Sequence, residues 1–318
     1  MDSTRKIFFR ADAGPTIGYG HFIRSLALAD MLKDDFDCVF YTQMPTEYQF
    51  DEAANVCPLL ALPADDTRFE LFLDDLAGDE TVVLDNYFFT TDYQRKIKEK
   101  GCKLVCIDDM HDKHYVADAV VNHGFARLEE FDCESYTRLC LGPKWSLLRK
   151  PFIIPVKARE RKKRIVVCFG GADPLRLTNR VVTYLLELRV QYEIVVVLGD
   201  AAFLGEENRK RVTVMRNLTA QQMANLFETS SIGVLPASSV RKEAVSRGLN
   251  VICGYFTLNQ QIGYERSLAQ NDIVPIYDLN ELTAENLKKA LDIAEHFSFK
   301  TPDYSTIPND YIKLMSTL

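Results

Sequence analysis

The sequence predicts an α/β protein made of two doubly wound domains, each a parallel sheet with helices packed on it. Three observations carry this expectation. Short apolar runs of strand length alternate with helically spaced apolar residues along both halves of the chain, the pattern of parallel strands joined by crossover helices. Several of these runs end in glycine or in clustered polar residues, at the strand ends where ligands collect in such sheets. Between the halves, residues 150–164 (KPFIIPVKARERKKR) shift to prolines and a dense cationic run, which reads as a linker followed by a solvated entry to a new strand. The expected domains are therefore 1–155 and 156–318, facing one another across a cleft.

Composition narrows the function before any motif does. A chain of 318 residues buries two full-sized cores, and 47% hydrophobic with 26% charged residues is ordinary for a globular protein. The formal net charge of −7 argues against nucleic acid or an anionic membrane as a partner, so any bound phosphate has to be gripped locally. No apolar run approaches the ~20 residues that span a bilayer, and the opening MDSTRKIFF lacks the apolar segment of a secretion signal. A cytoplasmic location is expected, and with it eight reduced cysteines, several of them inside apolar runs such as KLVCID and VVCFG. Cys102 and Cys106 lie along one strand rather than in a metal clip, and neither a metal nor a cofactor is expected.

The first half opens with a buried strand over 6–9 (KIFF) and a helix over 22–33, where Phe22, Leu26 and Ala29 recur at helical spacing. Between them, RADAGPTIGYGHFIR supplies Gly14, Gly18 and Gly20, which let the loop turn tightly and let backbone amides approach a ligand. These glycines do not fit the dinucleotide pattern G-x-G-x-x-G. His21 stands where the helix begins. The positive end of the helix dipole there favours a neutral ring, the state a general base needs, and the same field favours a departing diphosphate; simple packing beneath the loop is the alternative. Further strands are expected over 38–42, 81–84, 103–107 and 119–121, with a helix over 92–100 and a weaker segment rich in Asp and Leu after a turn at Pro45. Three of these strands end in polar residues: Asp85, Asn86 and Tyr87; Asp108, Asp109 and His111; Asn122 and His123. Helix capping accounts for such residues as readily as chemistry does.

The second half repeats the pattern, with strands over 165–169, 193–198, 212–215, 232–235 and 251–255, and helices ending near 188, over 219–228, and from Ser239, Glu265 and Ala284. Gly170 and Gly171 follow its first strand. In PASSVRKEA (236–244), Ser238 and Ser239 stand at a strand-to-helix junction, able to meet phosphate oxygens beside free helix amides. Glu243 lies one turn on, suited to the paired hydroxyls of a ribose. A capping box counted from Ser239 fails, because Lys242 occupies its third position.

Taken together, Arg10, Asp12, Gly18, Gly20, His21 and Arg24, Asp85 with Tyr87, the GGADP segment from Gly170, and ASSVRKEA followed by Asn259 and Gln260 resemble the UDP-2,4-diacetamido-2,4,6-trideoxy-beta-L-altropyranose hydrolases of pseudaminic acid biosynthesis, from residue 6 to about residue 275. The resemblance implies a GT-B fold and an inverting, metal-independent hydrolysis of a UDP-linked sugar. It implies His21 as the base with Tyr87 assisting, and a substrate site including Gly18, Gly20, Arg24, Gly171, Ser238, Ser239, Glu243, Asn259 and Gln260. Asp12 is expected to orient the His21 ring. Asn86 between Asp85 and Tyr87, and RKEAVSRG in the second-half helix, depart from the family pattern. A GT-B glycosyltransferase, in which a sugar hydroxyl replaces water, is the competing reading, and a silent nucleotide-sugar binding protein a third. The oligomeric state is open, and a monomer is compatible with the sequence.

Overall fold

The computed structural model describes residues 5–14, 18–124, 126–156, 159–170, 173, 175–199 and 202–318, apart from the side chains of Asn259 and Ile262. The chain divides into two compact units, residues 1–150 with 305–318, and residues 151–304.

In the first unit the alternation resolves into β1 (Lys6–Arg10), α1 (Gly20–Leu32), β2 (Asp37–Gln43), α2 (Glu47–Ala53), β3 (Leu59–Leu62), α3 (Thr67–Asp74), β4 (Thr81–Leu84), α4 (Thr91–Glu99) and β5 (Lys103–Ile107). The short β6 (His114–Tyr115) pairs with β8 (Asp132–Cys133), while β7 (Ala119–Asn122) and β9 (Arg138–Leu141) rejoin the main sheet. Its order is β3-β2-β1-β4-β5-β7-β9, with every neighbouring pair parallel. After β1 the chain winds one way to β3 and then returns past β1 to continue from β4. The carboxyl ends of β1 and β4 therefore flank the point where strand order reverses, the usual ligand crevice of an open parallel sheet.

Near-continuous burial of β1, β4, β5 and β7 fits a sheet covered on both faces. One side packs Phe8, Phe72, Val82, Leu104, Ile97 and Val120 into a core. α1 buries Phe22, Leu26 and Ala29, but also Arg24 and Ser25, so it is enclosed nearly all round. Its outer neighbour is α11 (Ile307–Ser316).

The second unit runs β10 (Lys162–Val167), α5 (Leu177–Glu187), β11 (Glu193–Leu198), α6 (Glu206–Arg209), β12 (Thr213–Arg216), α7 (Ala220–Glu228), β13 (Ser230–Pro236), α8 (Ser239–Ser246), β14 (Asn250–Tyr255), α9 (Leu258–Ser267), β15 (Val274–Asp278) and α10 (Ala284–Ala294). The sheet order is β12-β11-β10-β13-β14-β15, again parallel throughout. Order reverses here between β10 and β13, and the two segments at those strand ends are the ones bearing Gly170 and Ser238. β14 passes so close to β15 that only glycine fits at 254, where a Cβ would lie 2.4 Å from the Tyr277 carbonyl oxygen.

Three differences from expectation have physical causes. The helix expected from Glu265 begins at Leu258, because Thr257 is extended and its carbonyl accepts from Gln261 N at 3.0 Å, while Gln260 Oε1 accepts from Phe256 N at 3.1 Å. Residues 305–318 pack with the first unit rather than the second: Tyr311 is fully buried, and its hydroxyl donates to the Trp145 carbonyl at 2.6 Å. Arg5 donates to the Ser316 carbonyl and Arg138 to Thr317. The cationic stretch is also less solvated than its composition suggests, since Arg161 donates to the carbonyls of Phe227, Ser230 and Arg247. Among the described residues no helix is long and apolar enough to cross a membrane.

Candidate functional site

In the first unit the β1 loop is closed by reciprocal backbone bonds between Gly14 and Gly18, and Gly18 takes φ +85°, which a side chain would resist. Gly20 is the first residue of α1 and a Cβ there would meet open space. Pro15, Thr16 and Ile17 of this loop lie outside the described residues. The β1–β4 ladder runs one bond further than the strands, Asp85 N donating to the Arg10 carbonyl at 3.1 Å. This sets the end of β4 directly beside the start of the loop. Asn86 locks the junction, its Oδ1 accepting from Asp12 N at 2.6 Å and its Nδ2 donating to the Asp12 carbonyl at 3.2 Å.

The carboxylate against His21 is Asp85, not Asp12. His21 Nδ1 lies 2.7 Å from Asp85 Oδ1. A carboxylate only accepts, so Nδ1 carries the hydrogen, and the lone pair of the neutral ring is on Nε2. Asp12 is instead paired with the Arg10 guanidinium, both side chains fully buried; it also accepts from Gln43 N at 2.8 Å. Residues two apart on an extended chain project to the same side, which brings Arg10 and Asp12 together.

Arg24, one turn along α1 from His21, joins the cluster. Its Nε donates to Asp85 Oδ2 at 2.6 Å and its Nη2 to Asp85 Oδ1, while Nη1 donates to Asp109 Oδ2. Ser25 Oγ adds a bond to Asp85 Oδ2 at 2.9 Å. Arg24 therefore serves as an internal strut, its donors directed to protein carboxylates rather than to a ligand. Asp109 stands at the end of β5 and receives the Tyr87 hydroxyl at 3.4 Å; the Tyr87 ring meets the His21 ring edge-on at 4.8 Å. His123, after β7, brings its Nε2 to 3.4 Å from Asp109 Oδ1 and 3.3 Å from Arg24 Nη1. The ends of four neighbouring strands thus contribute to one polar array.

Its electrostatics favour ionised carboxylates. Burial pushes Asp85 up, but Arg24 and His21 outweigh burial and hold it below the usual carboxylate range. Asp109 is held well below that range, with Arg24 and then His123 overcoming burial. Burial alone would weaken the Arg24 cation, yet Asp109 and Asp85 raise it well above its ordinary value. The array is an ion cluster, buried at Arg24 and Asp85 and partly exposed at Asp109, with an imidazole at either end.

In the second unit, Ser238 is the N-cap of α8 but its side chain makes no cap hydrogen bond, and Ser239 opens the helix half-buried. Glu243 is buried on the same helix. Gly170 has φ +83°, and a Cβ there would meet open space. Gln260 uses its Oε1 within the protein, as described above. Gly171 and the side chain of Asn259 lie outside the described residues. Sequence reasoning does not find Asp109 and His123 as partners of Arg24; both stand at strand ends, and that position is their only signal.

No family model matches this chain. It is 24% identical over 273 residues to the UDP-2,4-diacetamido-2,4,6-trideoxy-beta-L-altropyranose hydrolase of Campylobacter jejuni, which covers 80% of this chain and 93% of that protein. It is 22% identical over 306 residues to an uncharacterized protein of Methanocaldococcus jannaschii, covering 88% of this chain but 62% of the other, so it spans less than two thirds of that relative's length. Among solved structures, MurG of Acinetobacter baumannii superimposes with a TM-score of 0.65 at 10% identity, over 99% of this chain and 100% of that one. The fold is GT-B. At such identity the superposition shows the fold alone, with its two parallel-sheet units as the sequence predicts.

Proposed function

We propose that the protein hydrolyses a UDP-linked 2,4-diacetamido-2,4,6-trideoxy sugar to UDP and the free sugar, with inversion and without a metal. The observation that carries this reading is the His21–Asp85 pair at the strand reversal of the first unit. Asp85 fixes the tautomer that leaves Nε2 basic and stabilises the imidazolium once formed, the roles a carboxylate plays behind a histidine base. In the proposed step Nε2 takes a proton from water as the water oxygen bonds to the anomeric carbon. The bond from that carbon to the diphosphate oxygen breaks, and UDP leaves with the electron pair. Tyr87, edge-on to His21, limits how the ring turns.

In the same reading the second unit holds the nucleotide. The Ser238 and Ser239 hydroxyls and the α8 amides meet the diphosphate, and Glu243 meets the ribose hydroxyls. Asn259 and Gln260 contribute near the sugar or diphosphate, and Gly171 allows a close backbone approach. The name of the Campylobacter relative supports this substrate class. The same imidazole would deprotonate a sugar hydroxyl equally well, so transfer to an acceptor is the competing outcome.

The test is phosphorus and proton NMR of the protein with UDP-2,4-diacetamido-2,4,6-trideoxy-beta-L-altropyranose, a chelator present and no acceptor. UDP with inverted free sugar is expected. Unchanged substrate that turns over only when an acceptor is added would replace hydrolysis by transfer. His21→Asn should lower turnover ~100-fold or more; retention of a tenth of the activity would remove His21 from the role of base.

A further inference from the structure

The Tyr87 ring stands on an exposed stretch of chain. Between β4 and α4, Asn86 and Phe89 are buried, whereas Tyr87 and Phe88 are each 38% exposed. Asn86 is fixed by its bonds to Asp12, and Phe89 by stacking on Tyr93 at 5.5 Å with the ring planes 15° apart. A ring this exposed gains little orientation from packing, so its direction follows from how the backbone between these anchors is held.

That backbone is gripped from the segment after β5. Asp108 Oδ2 accepts from His111 N at 2.7 Å, and His111 takes φ +50°, which turns the chain sharply as it leaves the strand. Lys113 Nζ then donates to the Tyr87 carbonyl at 2.7 Å and to the Phe89 carbonyl at 3.5 Å. Thr91 Oγ1 ties the next residue, donating to the His114 carbonyl at 2.7 Å. The Lys113 side chain is 15% exposed, and the Asp112 carboxylate beside it lies farther off than the Tyr87 carbonyl, at 3.4 Å. An ammonium has several hydrogens and no lone pair, so one lysine can hold both carbonyls, and its charge strengthens the bonds.

We propose that Lys113 is a positioning residue for Tyr87: by holding the carbonyls on either side of Phe88 it sets the Tyr87 ring edge-on against His21. The ring is then fixed at its backbone and again at its hydroxyl, which reaches Asp109 Oδ2 at 3.4 Å, and between these points it meets the His21 ring at 4.8 Å. A ring edge at that distance limits the swing of the imidazole, so the Nε2 lone pair keeps one direction. The kinetic consequence rests on the hydrolase reading, in which Nε2 is the base; the placement of the Tyr87 ring does not.

The edge-on contact supplies a readout. An aromatic ring shifts the magnetic resonance of protons beside it, so the Hδ2 and Hε1 signals of His21 report where the Tyr87 ring stands. The measurement is 1H–13C correlation of the full chain labelled at histidine, on the high-pH plateau where titration does not enter. His21→Asn assigns the signals, and Tyr87→Leu marks their position without the ring. Lys113→Met keeps the length of the stem and removes the donors; its His21 signals should move towards those of Tyr87→Leu, and Lys113→Arg, which keeps charged donors, should return them towards wild type. His21 signals that stay at the wild-type position in Lys113→Met overturn the proposal. Lys113→Gln, too short to span both carbonyls, substitutes where Lys113→Met does not fold.

Kinetics of UDP release form the second arm. Lys113→Met should lower kcat roughly tenfold with KM little changed, because a base out of line is missed chiefly in the transition state. Since Lys113 acts through Tyr87, adding Lys113→Met to Tyr87→Leu should cost nothing further, and losses that multiply overturn the proposal. A chain that releases no UDP removes the hydrolase reading, while the His21 signals still decide whether Lys113 places the Tyr87 ring.

Discussion

Asp85→Asn removes a charge while keeping the shape of the side chain, and its cost follows from the bonds around it. The carboxylate accepts from His21 Nδ1, from Arg24 Nε and Nη2, and from Ser25 Oγ. An amide offers one oxygen and one NH2, so at least one existing donor would face another donor. Breaking a buried ion pair from one side costs about 3–5 kcal/mol. Arg24 keeps Asp109, whose side chain is 28% exposed, so the lower end of that range, about 3 kcal/mol, is expected. The single tryptophan, Trp145, lies in the first unit and its fluorescence reports the unfolding of that unit. With a urea slope of about 2 kcal/mol/M, the midpoint at pH 7 should fall by about 1.5 M. The gap should close in acid. Asp85 has a folded pKa below its unfolded value, so its stabilisation is complete above the ordinary carboxylate range near about 4 and is lost as pH falls through the folded value. A pH 7 midpoint shift below about 0.5 M, corresponding to about 1 kcal/mol, would refute the reasoning that Asp85 is the central counter-ion of the cluster.

Tyr311→Phe leaves the Trp145 carbonyl without its 2.6 Å donor and should destabilise the first unit by about 1–3 kcal/mol in the same fluorescence assay. Gly254→Ala forces a Cβ to 2.4 Å from the Tyr277 oxygen and 2.8 Å from Leu279 Cγ, so it should cost about 3 kcal/mol or more in thermal unfolding of the second unit followed by circular dichroism. Replacing Ser238 and Ser239 together by alanine should weaken UDP binding about tenfold, equal to about 1.4 kcal/mol, in calorimetry. A Kd within twofold of wild type would detach these hydroxyls from the nucleotide.

Much of the fold is legible because parallel strands buried on both faces leave continuous apolar runs, and β1, β4, β5, β10, β11 and β14 all carry them. The weaker elements lack that signal. β6 and β8 have two residues each, β9 buries only Cys140, and α9 begins with the exposed Leu258 followed by polar residues. α11 does place Ile307, Tyr311, Leu314 and Met315 at helical spacing, but nothing local says that it returns to the first unit. At the site, the positions of His21, Asp85, Asp109 and His123 at strand ends can be read. Their partnership cannot, because Arg24 reaches Asp85 across 61 residues and His123 across 99, and the order of strands decides which ends are adjacent. Assigning Asp12 to His21 fails for that reason: it takes nearness along the chain for nearness in space, whereas Arg10, two residues away, claims the carboxylate.

The return of residues 305–318 to the first unit makes the second unit an insertion within it. During synthesis the order of emergence is then inverted relative to the order of completion. Residues 151–304 leave the ribosome as one uninterrupted segment and can finish folding, while residues 1–150 wait for the last helix to cover α1 and receive the Tyr311 side chain. A fragment of residues 151–304 should accordingly be a cleaner recombinant product than residues 1–150.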